Sequence, residues 1–215
     1  MKQKYIFLEG EGDAWFERNM RILGSRKLPE SDPLLMDIIK LPSVDGETRV
    51  LEIGCGDGTR LNWLRENLGY RCHGIDPSAT AVEVARRRGI DAIVGTADQL
   101  PYGDITFDIV IFGFCLYLCD REDLFRIACE ADRVLREQGW LLILDFYSPT
   151  PLRREYDHHS GVLSYKMDYR TLFTWNPAYT SFSHTVCHLS EHDYTDDRTE
   201  WIATSVLRKK LPSDA

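Results

Sequence analysis

Val50-Leu51-Glu52-Ile53-Gly54-Cys55-Gly56-Asp57-Gly58 reads as a short apolar strand that runs into a glycine turn. Thr59 and Arg60 follow, and Leu61, Leu64 and Leu68 then recur at helical spacing. A strand, a glycine turn and a helix start in that order make a place for a nucleotide-like ligand. Glycine lets the backbone bend and approach a ligand closely. The helix N-terminus offers N–H groups that have no partner inside the helix. A dinucleotide fingerprint spaces its glycines as G-x-G-x-x-G. Here they fall as G-x-G-x-G, and Thr59 stands where the third dinucleotide glycine belongs.

Working outward, Leu68 to Asp76 reads as a second strand ending in an acid. An acid about 20 residues beyond such a turn suits the two hydroxyls of a ribose. Gly95-Thr96-Ala97-Asp98-Gln99-Leu100-Pro101-Tyr102 comes next, and Phe107 to Phe112 is a further apolar strand. The four motifs E-x-G-x-G-x-G, G-I-D-P-S, A-D-x-L-P-Y and F-D-x-V span residues 52–110. In that order and spacing they resemble the class I S-adenosylmethionine-dependent methyltransferases.

The resemblance implies S-adenosylmethionine as cofactor and a role for each matching residue. Glu52, Gly54, Cys55, Gly56 and Gly58 would surround the methionine portion, with Glu52 reaching its amino group directly or through water and Cys55, at the family's variable position, there for structure. Asp76 would hold the ribose hydroxyls, and Ile75 and Pro77 would pack on the purine. Ala97, Asp98 and Gln99 would lie beside adenine, Asp98 accepting from its exocyclic amine. Phe114 would lie beside cofactor or substrate. The competing role for Asp98 is a helix or turn cap, and for Asp76 a turn residue before Pro77. The resemblance also implies an α/β fold: a doubly wound, mostly parallel Rossmann-like methyltransferase sheet with an antiparallel last strand.

Local patterning agrees with alternating strands and helices through residue 147. Residues 79–88 read as a helix stopped by Gly89, and Ile90 to Gly95 as a third strand. Residues 121–136 read as the clearest helix, with Gly139 as its stop, and Trp140 to Phe146 as a fifth strand. Residues 179–189 and 201–209 read as two closing strands. The expected organisation is one domain: a helical lid over 1–40, a cofactor core over 48–147, a substrate-side insertion over 148–178 and closing strands over 179–210. Residues 10–23 form an amphipathic helix that Asp13 can cap. It is either a lid, with Arg18 facing the cofactor carboxylate, or a helix packed on the sheet edge. A connector over 24–33, a short helix over 34–40 and a turn from Ser43 to Thr48 lead into the first strand.

The net charge of −8 disfavours nucleic acid as a partner. The Asn or acid followed by Pro-Pro-aromatic that marks methylation of base amino groups is absent; Gly113-Phe114-Cys115 stands there. Six cysteines with no C-x-x-C pair read as reduced thiols of a cytoplasmic protein. No apolar run approaches the ~18 residues of a membrane span. The expected partner is a small-molecule or glycan-related substrate, with no nucleic acid and no membrane, for a monomer or homodimer.

Residues 148–177 are rich in tyrosine, histidine and tryptophan, as loops that bind substrates are; the bland alternative is an aromatic seal on the sheet edge. A base is needed only if the acceptor carries a proton. Candidates are His158, His159, Tyr117, Tyr156 and Asp145, the histidines first because histidine titrates near neutral pH. His184, His188 and His192 recur every four residues. Their surroundings favour a strand, on which they span too far for one ion, so no metal is expected. Two other functions compete with methyl transfer: a non-catalytic S-adenosylmethionine-binding module, and a nicotinamide-dependent oxidoreductase, which Thr59 argues against.

Overall fold

The computed structural model describes residues 2–24, 27–42, 46–190 and 192–210. The expected connector and turn lie partly outside these residues, at 25–26 and 43–45, and the polar tail over 211–215 lies wholly outside.

In chain order the elements are α1 (Gln3–Ile6), α2 (Gly12–Gly24), α3 (Pro33–Ile38), β1 (Arg49–Ile53), α4 (Thr59–Leu68), β2 (Arg71–Asp76), α5 (Ala79–Arg87), β3 (Asp91–Val94) and β4 (Phe107–Gly113). There follow α6 (Leu124–Val134), β5 (Leu135–Phe146), β6 (Leu152–Glu155), β7 (Leu163–Lys166), α7 (Thr171–Thr174), β8 (Tyr179–His188) and β9 (Trp201–Lys209). Seven strands form one sheet in the order β3-β2-β1-β4-β5-β9-β8. The first five are parallel neighbours, and β9 runs antiparallel to both β5 and β8. The strand order reverses between β1 and β4, the place where open parallel sheets bind ligands.

The apolar strands bury both faces. Leu51, Ile53, Val110, Phe112, Leu141 and Ile143 point into a core with α6. Their neighbours Val50, Ile109, Ile111, Leu142 and Leu144 point the other way, into a core with α3, α4 and α5. Period-two alternation between two apolar layers explains why these strands read as continuous apolar runs.

Three local readings change. The helix expected over 121–136 ends at Val134, and Leu135 already pairs with Phe107 as the first residue of β5. Gly139 does not stop the helix; it lies in an irregular stretch of β5. A Cβ there would come 2.5 Å from Leu135 Cδ1, so glycine permits the fold-back. Sheet pairing overrides a helical period that continues through Leu135. Asp13 lies inside α2 and caps α5 from across the molecule, donors being Ser78 Oγ at 2.6 Å and the Thr80 N–H at 2.9 Å. The 148–178 segment is not loop throughout: β6 and β7 form an antiparallel hairpin, and α7 follows. Among the described residues no helix is long and apolar enough to cross a membrane.

Candidate functional site

A cleft of about 970 Å³ opens over the carboxyl ends of β1, β2, β4 and β5. Its floor is the glycine turn, held to the end of β2 by N–H bonds from Gly54 (2.8 Å) and Cys55 (3.2 Å) to the Ile75 carbonyl. Gly54, Gly56 and Gly58 have φ of 77°, 52° and 70°, in the left-handed region. Each serves differently. At Gly54 a Cβ would stand 2.6 Å from Cys115 Cβ, so the loop after β4 closes on the turn. At Gly56 a Cβ would meet nothing within 4 Å, which leaves an open cradle facing the cleft. Gly58 does not line the cleft; a Cβ there would meet Ala85 at 3.0 Å, so it packs α4 on α5.

Asp76 ends β2 beside this cradle. Its carboxylate accepts from the Gly56 N–H at 2.8 Å and the Ser78 N–H at 2.9 Å. Burial pushes its pKa up to about 6 against the pull of those two bonds, and the nearby Asp13 and Asp57 add to the rise. Ile75, Pro77, Ala97 and Asp98 continue the same wall. Asp98 accepts from Thr96 Oγ1 at 2.8 Å and also from Lys4 Nζ. Burial raises its pKa, but the bonds from Lys4 and Thr96 outweigh this and leave it below its ordinary value. Gln99, expected here, is exposed and does not line the cleft, because the turn after Asp98 carries it outward.

At the other end of the floor Arg60, the second residue of α4, is buried between two carboxylates. Its Nη1 donates to Glu52 Oε1, and its Nε donates to Asp32 Oδ2 at 2.9 Å. Burial opposes its charge, and Asp32 and Glu52 restore it. Asp32 also caps α3 by accepting from the Leu34 and Leu35 N–H groups. Arg18 does not lie at this end: it donates to Glu11 and, at 2.9 Å, to Tyr156 Oη. Short-range pattern cannot reveal the Arg60 pairings, since the carboxylates lie eight and 28 residues away.

The remaining walls are aromatic. Phe114 holds a left-handed φ of 52°, rare for a non-glycine residue and a mark of functional sites. Its ring centroid lies 5.4 Å from that of Phe146, and Tyr117 lies 4.9 Å from Phe146. Trp15 from α2 donates through Nε1 to Tyr117 Oη at 3.0 Å. Burial holds the Tyr117 phenol far above its ordinary pKa, so it stays protonated. From the stretch between β6 and β7 come Tyr156 and His158, rings 5.2 Å apart. His158 and His159 are both exposed, but His159, its Nδ1 2.9 Å from the Ser160 carbonyl, does not line the cleft. Neither does Asp145, whose carboxylate, raised by burial to about 7, accepts from the N–H groups of Leu116, Tyr117 and Phe146. It shapes the loop after β4. Leu189, Ser190 and His192, unforeseen from sequence, complete this half from beyond β8. Of the three evenly spaced histidines only His184 and His188 lie on the strand; His192 has left it, with φ 57°.

Residues 51–143 match the family described as a methyltransferase domain. The uncharacterized methyltransferase YcgJ of Bacillus subtilis is 31% identical over 153 residues, which cover 67% of this chain and 59% of that protein. The fatty-acid O-methyltransferase of Mycolicibacterium smegmatis is 34% identical over 130 residues, 55% of this chain and 46% of its own. The chain thus spans about half the length of the curated relatives it matches. A crystal structure of 1,6-didemethyltoxoflavin-N1-methyltransferase of Burkholderia thailandensis, with bound 1,6-didemethyltoxoflavin and S-adenosylhomocysteine, shares the fold with a TM-score of 0.69 at 17% identity. The match covers 96% of this chain and 89% of that one. The matched segment runs from β1 to β5 and contains the glycine turn, Asp76 and Asp98, and the chain belongs to the class I S-adenosylmethionine-dependent methyltransferases.

Proposed function

We propose that the protein binds S-adenosylmethionine over the ends of β1, β2 and β4 and moves its methyl group to a small-molecule acceptor, glycan-related compounds included, held in the aromatic half of the cleft. The observation that carries this reading is the Asp76 carboxylate, held by two backbone N–H groups beside the open cradle of Gly56 at the switch point. The residues present fit the cofactor. Asp76 accepts from the ribose hydroxyls, and Ile75 and Pro77 pack on the purine. Ala97 lies beside adenine, and Asp98 accepts from its amine while also bonded to Lys4. Glu52, paired with Arg60, faces the methionine amino group, with Gly54, Cys55 and Gly56 curving around that end.

Bound there, the cofactor supplies a methyl group already activated by its positive sulfur. The chain's task is to align an acceptor with that methyl and to exclude water. Phe114, Tyr117 and Phe146 provide the flat wall for the acceptor, and α2, tied down through Trp15, serves as a lid. His158 takes the proton from an acceptor that must lose one. The protonated phenol of Tyr117 is no base and instead orients by hydrogen bonding.

Calorimetric titration with S-adenosylhomocysteine, followed by transfer of labelled methyl into fractions of a metabolite extract, tests the reading. One saturable site and a labelled small product are expected. Failure to bind ends the cofactor assignment; binding with no labelled product from any fraction leaves a binding module without turnover.

A further inference from the structure

The structure assigns to Asp13 a role in the cofactor site: we propose that it is a positioning residue, which from α2 fixes the Pro77–Thr80 turn and so the carboxylate of Asp76. The inference rests on the S-adenosylmethionine reading of the cleft.

Ser78 is the hinge of the argument. Its N–H donates to Asp76 Oδ1 at 2.9 Å, while its hydroxyl donates to Asp13 Oδ1 at 2.6 Å and accepts from the Ala81 N–H at 3.0 Å. Asp13 also accepts from the Thr80 N–H at 2.9 Å. One residue therefore couples two carboxylates from segments 63 positions apart in the chain, because 76 − 13 = 63. The contact is close by construction. A Cβ on Gly12 would come within 3.1 Å of Ser78 N, 3.2 Å of Pro77 C and 2.8 Å of the Phe7 carbonyl oxygen. Any larger residue at 12 pushes α2 off the turn. Farther up the same segment Lys4 bonds Asp98, so the N-terminal stretch reaches both carboxylates expected to hold the nucleoside, Asp98 directly and Asp76 through Ser78. It is part of the site rather than an appendage beside it.

Charge makes the role readable in solution. The charged groups acting on Asp76 are Asp13 from α2 and Asp57 from the glycine turn, both raising its pKa. Asp57 is itself paired with Arg88 at 2.9 Å. On β1, Glu52 is paired with Arg60. Asp13 has hydroxyl and amide partners instead, and these keep it ionised. Neutralising Asp13 while keeping its acceptor oxygen lowers the pKa of Asp76, so the ionised, ribose-binding form persists to lower pH.

The test measures the affinity of the full chain for S-adenosylhomocysteine as a function of pH, in the wild type, Asp13→Asn and Asp13→Ala. Asp13→Asn should bind within about threefold of wild type at pH 8 and move the midpoint of the affinity profile to lower pH. Asp13→Ala should bind about tenfold more weakly at pH 8, the size expected for a lost bond to a charged group. An unmoved midpoint in Asp13→Asn, or wild-type affinity in Asp13→Ala with only a lowered melting temperature, overturns the proposal. Should Asp13→Ala fail to fold, the midpoint of Asp13→Asn decides. Wild-type protein that binds nothing removes the cofactor reading and this one together; wild-type binding with unaltered variants removes this one alone.

Discussion

The two halves of the cleft are built by different means. The half over β1, β2 and β4 is made by short-range structure: a strand end, a turn of left-handed glycines and a helix start within residues 49–68. The half against Phe114 and Phe146 is assembled from pieces far apart in the chain. It takes Trp15 from α2, Tyr156 and His158 from the β6–β7 hairpin, and Leu189, Ser190 and His192 from beyond β8. In the first half the turn and the strand ends set the frame, and residues 51–143, which contain it, are the segment that matches the family. In the second, side chains from distant segments meet only after the fold has formed.

The largest effect expected from breaking that contrast is at Arg60, where the two modes meet. Arg60→Met leaves two buried carboxylates without their cation and should cost about 3–5 kcal/mol of stability. Chemical denaturation measures it, and a loss below about 1 kcal/mol would show that water enters the floor freely. His158→Ala should lower turnover by ~100-fold while affinity for S-adenosylhomocysteine stays near wild type. His159→Ala, outside the cleft, should change neither, and equal losses in both variants would erase the distinction drawn between them. Asp76→Ala should weaken S-adenosylhomocysteine by at least about tenfold, since bonds to a charged group are worth about 1.5–3 kcal/mol. Unchanged affinity would remove Asp76 from the site.

The smallest effect is in pH. The Asp76 pKa, near 6, lies above its unfolded value near 3.8. Its ionisation therefore costs stability as pH rises between those values, and stability from this group is greatest below both. Binding is expected to have the opposite sign, because the ionised carboxylate is the form proposed to accept from the ribose hydroxyls. Affinity should fall about tenfold between pH 7 and pH 5. A flat profile over that range would mean that protonated Asp76 serves equally well.

The same contrast explains what was legible in the sequence. Alternating strands and helices, the glycine turn and Asp76 follow from patterns within a few residues, and all reappear in the sheet. Asp13, by contrast, read as a cap for its own helix and caps α5 instead, because only the folded chain brings Ser78 and Thr80 to it. Arg60 carried a faint signal, a charge on the buried side of a helix beside Leu61 and Leu64, but nothing local names Asp32 and Glu52 as its partners. Gly139 shows the limit of helix-stop rules: the sheet takes over at Leu135 before the glycine is reached.

Asp145 has a consequence for how the acceptor can change. By binding the N–H groups of Leu116 and Tyr117 from the end of β5, it ties the aromatic wall to the sheet. That wall is masonry, and cannot be altered without disturbing the core. The hairpin is joined more lightly: its β7 meets β5 where Lys166 lies 4.8 Å from the Phe146 ring, and its turn over residues 157–161 is exposed. An altered acceptor preference is therefore expected from exchanging that exposed turn, while Tyr169, Leu172 and Phe173 farther along stay with the core and the carboxylate that aligns the wall stays in place.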